Sequence, residues 1–124
     1  MQLRVDAVLF EYEQPLIVAA MDDVGRRFVG VAYGPDLEGL DQSFVFIEAS
    51  AEQLADFTSG AVDLRSVIDE REGMVLTGVA EGNAGDLVDC QVTAGVPAQA
   101  RPGPGLVLPA EVVRVVSGQF VPAA

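Results

Sequence analysis

The fold of this chain is decided by the stretch SFVFIEASAEQL, residues 43–54. Its first seven residues predict a strand in which Phe44 and Phe46 face one side while Val45 and Ile47 face the other. A strand that is apolar on both faces has to be covered on both faces, so we expect it to lie centrally in a sheet.

The residues after this strand predict two short helices. Ser50 and Gln53 have the spacing of a capping box, in which the serine oxygen accepts the Gln53 amide and the glutamine side chain reaches back. The box predicts a helix over residues 51–58. Asp63 is the expected cap of a second helix over residues 64–71, where apolar residues recur at helical spacing on one side.

Apolar segments on either side of the helices predict strands joined by hairpins. Residues 22–25 read as a turn, because aspartate caps the opening residue and glycine supplies a positive φ at the end. Residues 81–86 read as a second turn, and residues 11–15 as a break after the first strand. The predicted strands cover residues 3–10, 16–21, 26–33, 43–49, 74–80 and 87–94.

This order of elements predicts the α+β class. We expect a mainly antiparallel, curved sheet of hairpins with both short helices packed on one face. The length of 124 residues predicts a single domain, 1–124. Residues 106–116 stay open between helix and strand, since Pro109 suits a helix start whereas the valines favour a strand. Residues 117–124 are expected to form a flexible tail.

Three segments in the middle of the chain carry a resemblance. They are the apolar strand entered through Gln14-Pro15, the Ser50–Leu54 segment, and Asp63-Leu64-Arg65. Over about residues 8–72 the chain resembles a family of uncharacterised bacterial domains of unknown function. Those domains have a curved antiparallel sheet followed by a serine-capped helix and an Asp-Leu-Arg segment. The resemblance implies the fold and brings no activity, substrate or catalytic residue.

Charge and missing side chains exclude several functions. The chain holds 19 acidic residues and 7 basic ones, and every basic residue is arginine, so its net charge is −12. We expect a chain of this charge to be repelled by nucleic acids and by anionic membranes. The lack of histidine excludes Ser-His-Asp and Cys-His catalysis. With one cysteine and no histidine, an ordinary zinc site is excluded as well. Arginine in place of lysine indicates a GC-rich bacterial coding sequence.

The start of the chain and its one cysteine predict the compartment. No basic segment followed by an apolar one, as in a signal peptide, begins the sequence, and no apolar run is long enough to span a bilayer. Cys90 has no second cysteine to pair with, which fits a reducing compartment. We therefore predict a cytoplasmic protein. Cys90 alternates with Val88 and Val92, which predicts a buried, inert thiol.

Paired carboxylates are the remaining candidates for chemistry. Carboxylate oxygens suit a hard cation or an acid–base pair. We favour turn chemistry for the first pair and solvated surface for the others, so we predict no catalytic, cofactor-binding or metal residue. The candidates are Asp22 with Asp23, Glu11 with Glu13, and Asp69-Glu70 with Glu72.

The apolar content points to a partner. Half of the residues are hydrophobic, and a domain of this size buries only about two-thirds of its surface. We therefore predict a non-catalytic protein–protein interaction or assembly module that binds a protein partner or a second copy, with residues 95–116 as the expected contact. A dense valine core in a monomer would account for the apolar content equally well. Two alternatives are an acidic inhibitor that imitates nucleic acid in a basic groove, and a carboxylate-based ligand-binding or enzyme domain.

Overall fold

The computed structural model describes residues 1–12, 14–33, 41–71, 73–97, 100, 107–108, 113–116 and 119–122. The strands are β1 (Gln2–Tyr12), β2 (Gln14–Met21), β3 (Arg27–Tyr33), β4 (Gln42–Ala49), β5 (Val75–Ala80), β6 (Leu87–Thr93), β7 (Val113–Val116) and β8 (Gln119–Pro122). The helices are α1 (Ala51–Thr58) and α2 (Leu64–Asp69), which lie between β4 and β5.

The first six strands form a closed antiparallel barrel. Each strand pairs with its neighbour in chain order, and β6 returns to pair with β1. A mainly antiparallel sheet with two short helices agrees with the predicted α+β class. The predicted curved sheet of hairpins is wrong in its shape, because three residue pairs close the sheet into a barrel: Gln2 with Asp89, Leu3 with Val88, and Arg4 with Leu87.

Closure depends on the shape of β1. Its register against β2 shifts three times, the first shift lying between Val5 and Ala7. Such bulges bend a strand and increase its twist. The bent strand pairs with β2 along its length, while its first residues also reach β6. Alternation in the sequence shows neither the bulges nor a contact between residues more than eighty positions apart.

Phenylalanine rings fill the barrel interior next to glycines. Residues paired across neighbouring strands share a face, and Phe46 pairs with Gly30 while Phe44 pairs with Gly78. A Cβ at Gly30 would lie 2.6 Å from the ring of Phe46 and 2.7 Å from a methyl group of Val18. Because a barrel of six strands is narrow, each of these two rings lies beside a neighbouring strand position that carries no side chain.

Strand β4 is covered on both faces, as its sequence predicts. Phe44 and Phe46, which face inward, are fully buried, and so are Val45 and Ile47 on the outer face. The helix α1 contacts β3 and β4, and its Phe57 belongs to the same hydrophobic core. One side of the barrel wall therefore has the chain's own helical segment against it.

Both helix starts are confirmed. The Ser50 Oγ accepts the Gln53 amide at 3.0 Å, and the Gln53 Oε1 accepts the Ser50 amide at 2.9 Å. Asp63 accepts the Ser66 amide at 2.8 Å at the start of α2, which ends at Asp69 rather than at the predicted 71. No helix that the structure describes is long and apolar enough to cross a membrane.

Two predicted boundaries change. Glu11 pairs with Pro15, so β1 and β2 continue into the segment predicted as a break. Proline has no backbone N–H to donate, and the register shift beside Glu11 lets the hydrogen-bond ladder accommodate it. The open segment 106–116 contains strand β7, which pairs with β8 inside the predicted tail. Residues 106, 109–112, 117–118 and 123–124 lie outside the described residues.

Replacing Gly30 by alanine tests the packing of the interior. The added Cβ meets the buried Phe46 ring, so we expect Gly30→Ala to lower the free energy of unfolding by about 1–3 kcal/mol, the usual cost of overpacking. Urea unfolding followed by circular dichroism measures it. Gly95→Ala is the matched control, because no atom lies within 4 Å of its new Cβ. Equal midpoints for both variants would contradict this description of the interior.

Candidate functional site

Asp22 is occupied by the turn that it opens. Its Oδ1 accepts the amides of Val24 at 3.1 Å and Arg26 at 2.7 Å, and its Oδ2 accepts the Arg26 Nε at 2.5 Å. Burial by itself would raise the pKa of Asp22, but the hydrogen bonds and the charge of Arg26 outweigh it, so the pKa lies below its ordinary value. The predicted turn chemistry is confirmed for this residue.

The lowered pKa makes a pH-dependent contribution to stability. A carboxyl group with a lower pKa in the folded state stabilises the fold above its unfolded pKa, and the contribution is lost as the pH falls through the folded pKa. We therefore expect Asp22→Asn to destabilise the protein at pH 7 and to flatten the loss of stability in acid, measured by urea unfolding from pH 7 downward. Asp23→Asn, at the exposed neighbour, is the control. Identical pH profiles for the two variants would refute this role of Asp22.

The other predicted carboxylates that the structure describes do not come together in a site. Asp69 faces Arg65 at 3.5 Å, one turn earlier on α2, and Glu11 is exposed. Glu13 and Glu72 lie outside the described residues. Among the residues with described positions, no three side chains of the metal-binding types come together.

Cys90 is buried, as predicted. Its thiol donates a weak hydrogen bond to the Val88 carbonyl at 3.6 Å, and burial raises the pKa of the thiol to about 11. Val92, expected beside it in the core, is instead 66% exposed. Val92 pairs with Leu76, near the start of β5 and the end of β6.

The raised pKa of Cys90 predicts that its thiol reacts slowly with thiol reagents. At pH 8 a group with a pKa of about 11 is ionised in only about one molecule in a thousand, and the thiolate is the reactive form. We expect the native protein to react with Ellman's reagent at least about tenfold more slowly than a Cys90→Ser/Gln91→Cys variant, whose cysteine replaces an exposed residue. Urea should remove the difference. Equal native rates would show that Cys90 is accessible.

A polar groove of about 350 Å³ lies at the start of α1. Arg26, Arg27, Glu48, Ser50 and Gln53 are among the residues that line it. Most of these groups already have a structural bond, since Arg26 binds Asp22 and the Ser50–Gln53 pair forms the capping box. Glu48 accepts the Met74 amide at 3.0 Å. Most polar side chains of this groove therefore hold the Asp22 turn, the cap of α1 and the loop after α2 in place.

A second groove, of about 430 Å³, lies on the outer face of β5 and β6. Val79 and Leu87 are 52% and 55% exposed there, although both are large apolar side chains. We call this groove the β5–β6 surface. It is lined by Tyr33, Ser43, Thr77, Gly78, Val79, Leu87, Asp89 and Gln91.

Strand register explains why these side chains are outside. Val88 and Cys90 are buried in the barrel, so Leu87, Asp89 and Gln91 alternate to the outer face of β6. Val79 pairs with Ser43, and Ser43 with Tyr33, which places these three in one row across the strands. Gln42 lies buried beside this row, and its side-chain Nε2 donates a hydrogen bond to the Tyr33 carbonyl at 2.8 Å.

The predicted contact segment 95–116 is partly used by the chain itself. Ala100 and Leu108 are buried in the hydrophobic core, and the Leu108 carbonyl lies against Gly60 at the end of α1. Residues 98–99, 101–106 and 109–112 lie outside the described residues. The exposure of Val79 and Leu87 was not predicted from the sequence. The available signal was on β6, where the outward-facing residues are Leu87, Asp89 and Gln91 and Leu87 is the apolar one.

Comparisons with protein-family models, curated proteins and solved structures found no match to this chain. The resemblance to bacterial domains of unknown function therefore stays a prediction.

Proposed function

We propose that this chain is a non-catalytic, cytoplasmic interaction module that binds another protein through the β5–β6 surface. The observation that carries the proposal is the exposure of Val79 and Leu87 over a groove, on a barrel whose outer apolar positions across β3 and β4 are buried. Exposed apolar side chains grouped at a groove are typical of protein contacts.

The contrast around the barrel supports a specific surface. The outer face of β3 and β4 carries Val29, Val31, Val45 and Ile47, and all four are fully buried. Across β5 and β6 the same outer face still carries large apolar side chains, yet about half of the Leu87 side chain remains in water. Burial of such a side chain in a partner's pocket contributes up to about 1.5–3 kcal/mol.

The carboxylate-based alternative has less support. Asp22, the best placed acid, is held by its own turn, and its hydrogen-bonding positions are taken by Arg26 and Val24. The nucleic-acid mimic has one supporting observation, the net charge of −12. Mimicry of phosphates depends on acidic groups and not on an apolar contact, so an added acid at position 87 should not weaken it. Apolar docking depends on Leu87.

Site-specific photo-crosslinking tests the proposal. We expect p-benzoylphenylalanine at Leu87, introduced in cells of the source organism, to give a discrete adduct with one protein, because that side chain lies in the contact. Excess wild-type protein should suppress the adduct, whereas excess Leu87→Asp protein should not.

The same photoreactive residue at Val92 is the matched control. Val92 is even more exposed, lies on the same strand and alternates to the opposite face. The proposal fails if both positions give the same adducts, or if the Leu87→Asp protein competes as well as the wild type.

A further inference from the structure

Leu87 stands between two grooves. It lines the β5–β6 surface and also a neighbouring groove of about 340 Å³, which includes Arg4, Asp6 and Asp23. The pairing of Met21 with Arg4, and of Arg4 with Leu87, places these three side chains in one row on the outer face. The two grooves therefore meet at one exposed apolar side chain.

Acids outnumber bases around Leu87. Asp6 and Asp23 are exposed, and neither side chain has a hydrogen bond or an ion pair among the residues whose positions are described. Asp89 receives only a long hydrogen bond, 3.5 Å, from Gln2. Arg4 is the one base that lines either groove. Arg26, which forms the ion pair with Asp22, lines neither of the two grooves. The rim of this surface is anionic around an apolar centre.

We propose that this surface binds a cationic segment of another protein, in which an apolar side chain packs on Leu87 and flanking lysines or arginines meet Asp6, Asp23 and Asp89. The inference rests on the proposed function and names the chemistry of its partner. Opposite charges around an apolar centre steer association and select the partner, while the apolar contact supplies most of the affinity.

A second copy of this chain fits the surface less well. A two-fold contact would bring the same acidic rim together from both copies, each with a net charge of −12. Like charges at such a contact oppose association. Charge complementarity therefore favours a basic partner.

Three synthetic peptides separate the contributions. They are ten residues long and alternate Arg with Leu, Arg with Ser, or Glu with Leu. At physiological salt we expect the Arg–Leu peptide to bind the full chain most tightly in isothermal titration calorimetry. Leu87→Asp should weaken this binding about tenfold, as for loss of a central contact residue.

Two controls isolate apolar contact from charge. Val92→Asp adds the same charge to the same strand on the opposite face, so it should change the affinity less than about twofold. The double variant Asp6→Asn/Asp23→Asn should weaken binding and reduce its salt dependence, because two exposed charges are removed. Circular dichroism checks that each variant is folded.

Four results would overturn the inference. They are tightest binding of the Glu–Leu peptide, equal binding of the Arg–Ser and Arg–Leu peptides, full affinity of the Leu87→Asp protein, and a wild-type dimer in sedimentation that Leu87→Asp dissociates. The first three would leave a specific crosslink at Leu87 in place, so the proposed function would survive with a partner of different chemistry. Loss of that crosslink while the peptide results hold would count against the proposed function alone.

Discussion

The structure depends on the packing of Phe44 and Phe46 against strand positions without side chains. The two rings lie 5.9 Å apart between centroids, stacked at an interplanar angle of 28°. Gly30 and Gly78 lie beside them on the neighbouring strands, and a Cβ at either glycine would clash with a side chain. A six-stranded barrel holds little interior volume, so rings and glycines have to occupy matching positions. This complementarity packs the barrel interior around Phe44 and Phe46, both of which are fully buried.

Because aromatic rings pack inside the barrel, we propose the function for its outer wall. The helical segment between β4 and β5 packs against one side of that wall and supplies Phe57, Leu64 and Ile68 to the core. The wall at β5 and β6 keeps Val79 and Leu87 in contact with water. The asymmetry follows from the order of elements, because both described helices lie between β4 and β5 in the chain and α1 contacts β3 and β4. The proposed binding surface is the side that the helices leave uncovered.

Local signals were readable from the sequence, and long-range pairing was not. The Ser50–Gln53 box and the Asp22 turn are set by side chains within four residues of the backbone groups that they bind, so their chemistry predicts them. The pairing of Leu3 with Val88 joins the first and the last strand of the barrel, which are far apart in the sequence. Strand β1 contains bulges that let it pair with both β2 and β6. The surface around Leu87 was missed for the same reason, since only closure brings Arg4 next to it.

The pairing of β1 with β6 closes the barrel around the packed rings, and nuclear Overhauser effects in the isotopically labelled full chain test this pairing. The structure predicts contacts between the backbones of Leu3 and Val88, with slow hydrogen exchange at the Val5 amide, which donates to the Asp86 carbonyl at 2.9 Å. An open sheet would contradict the account: β1 would then contact only β2, β6 only β5, and the Val5 amide would exchange rapidly.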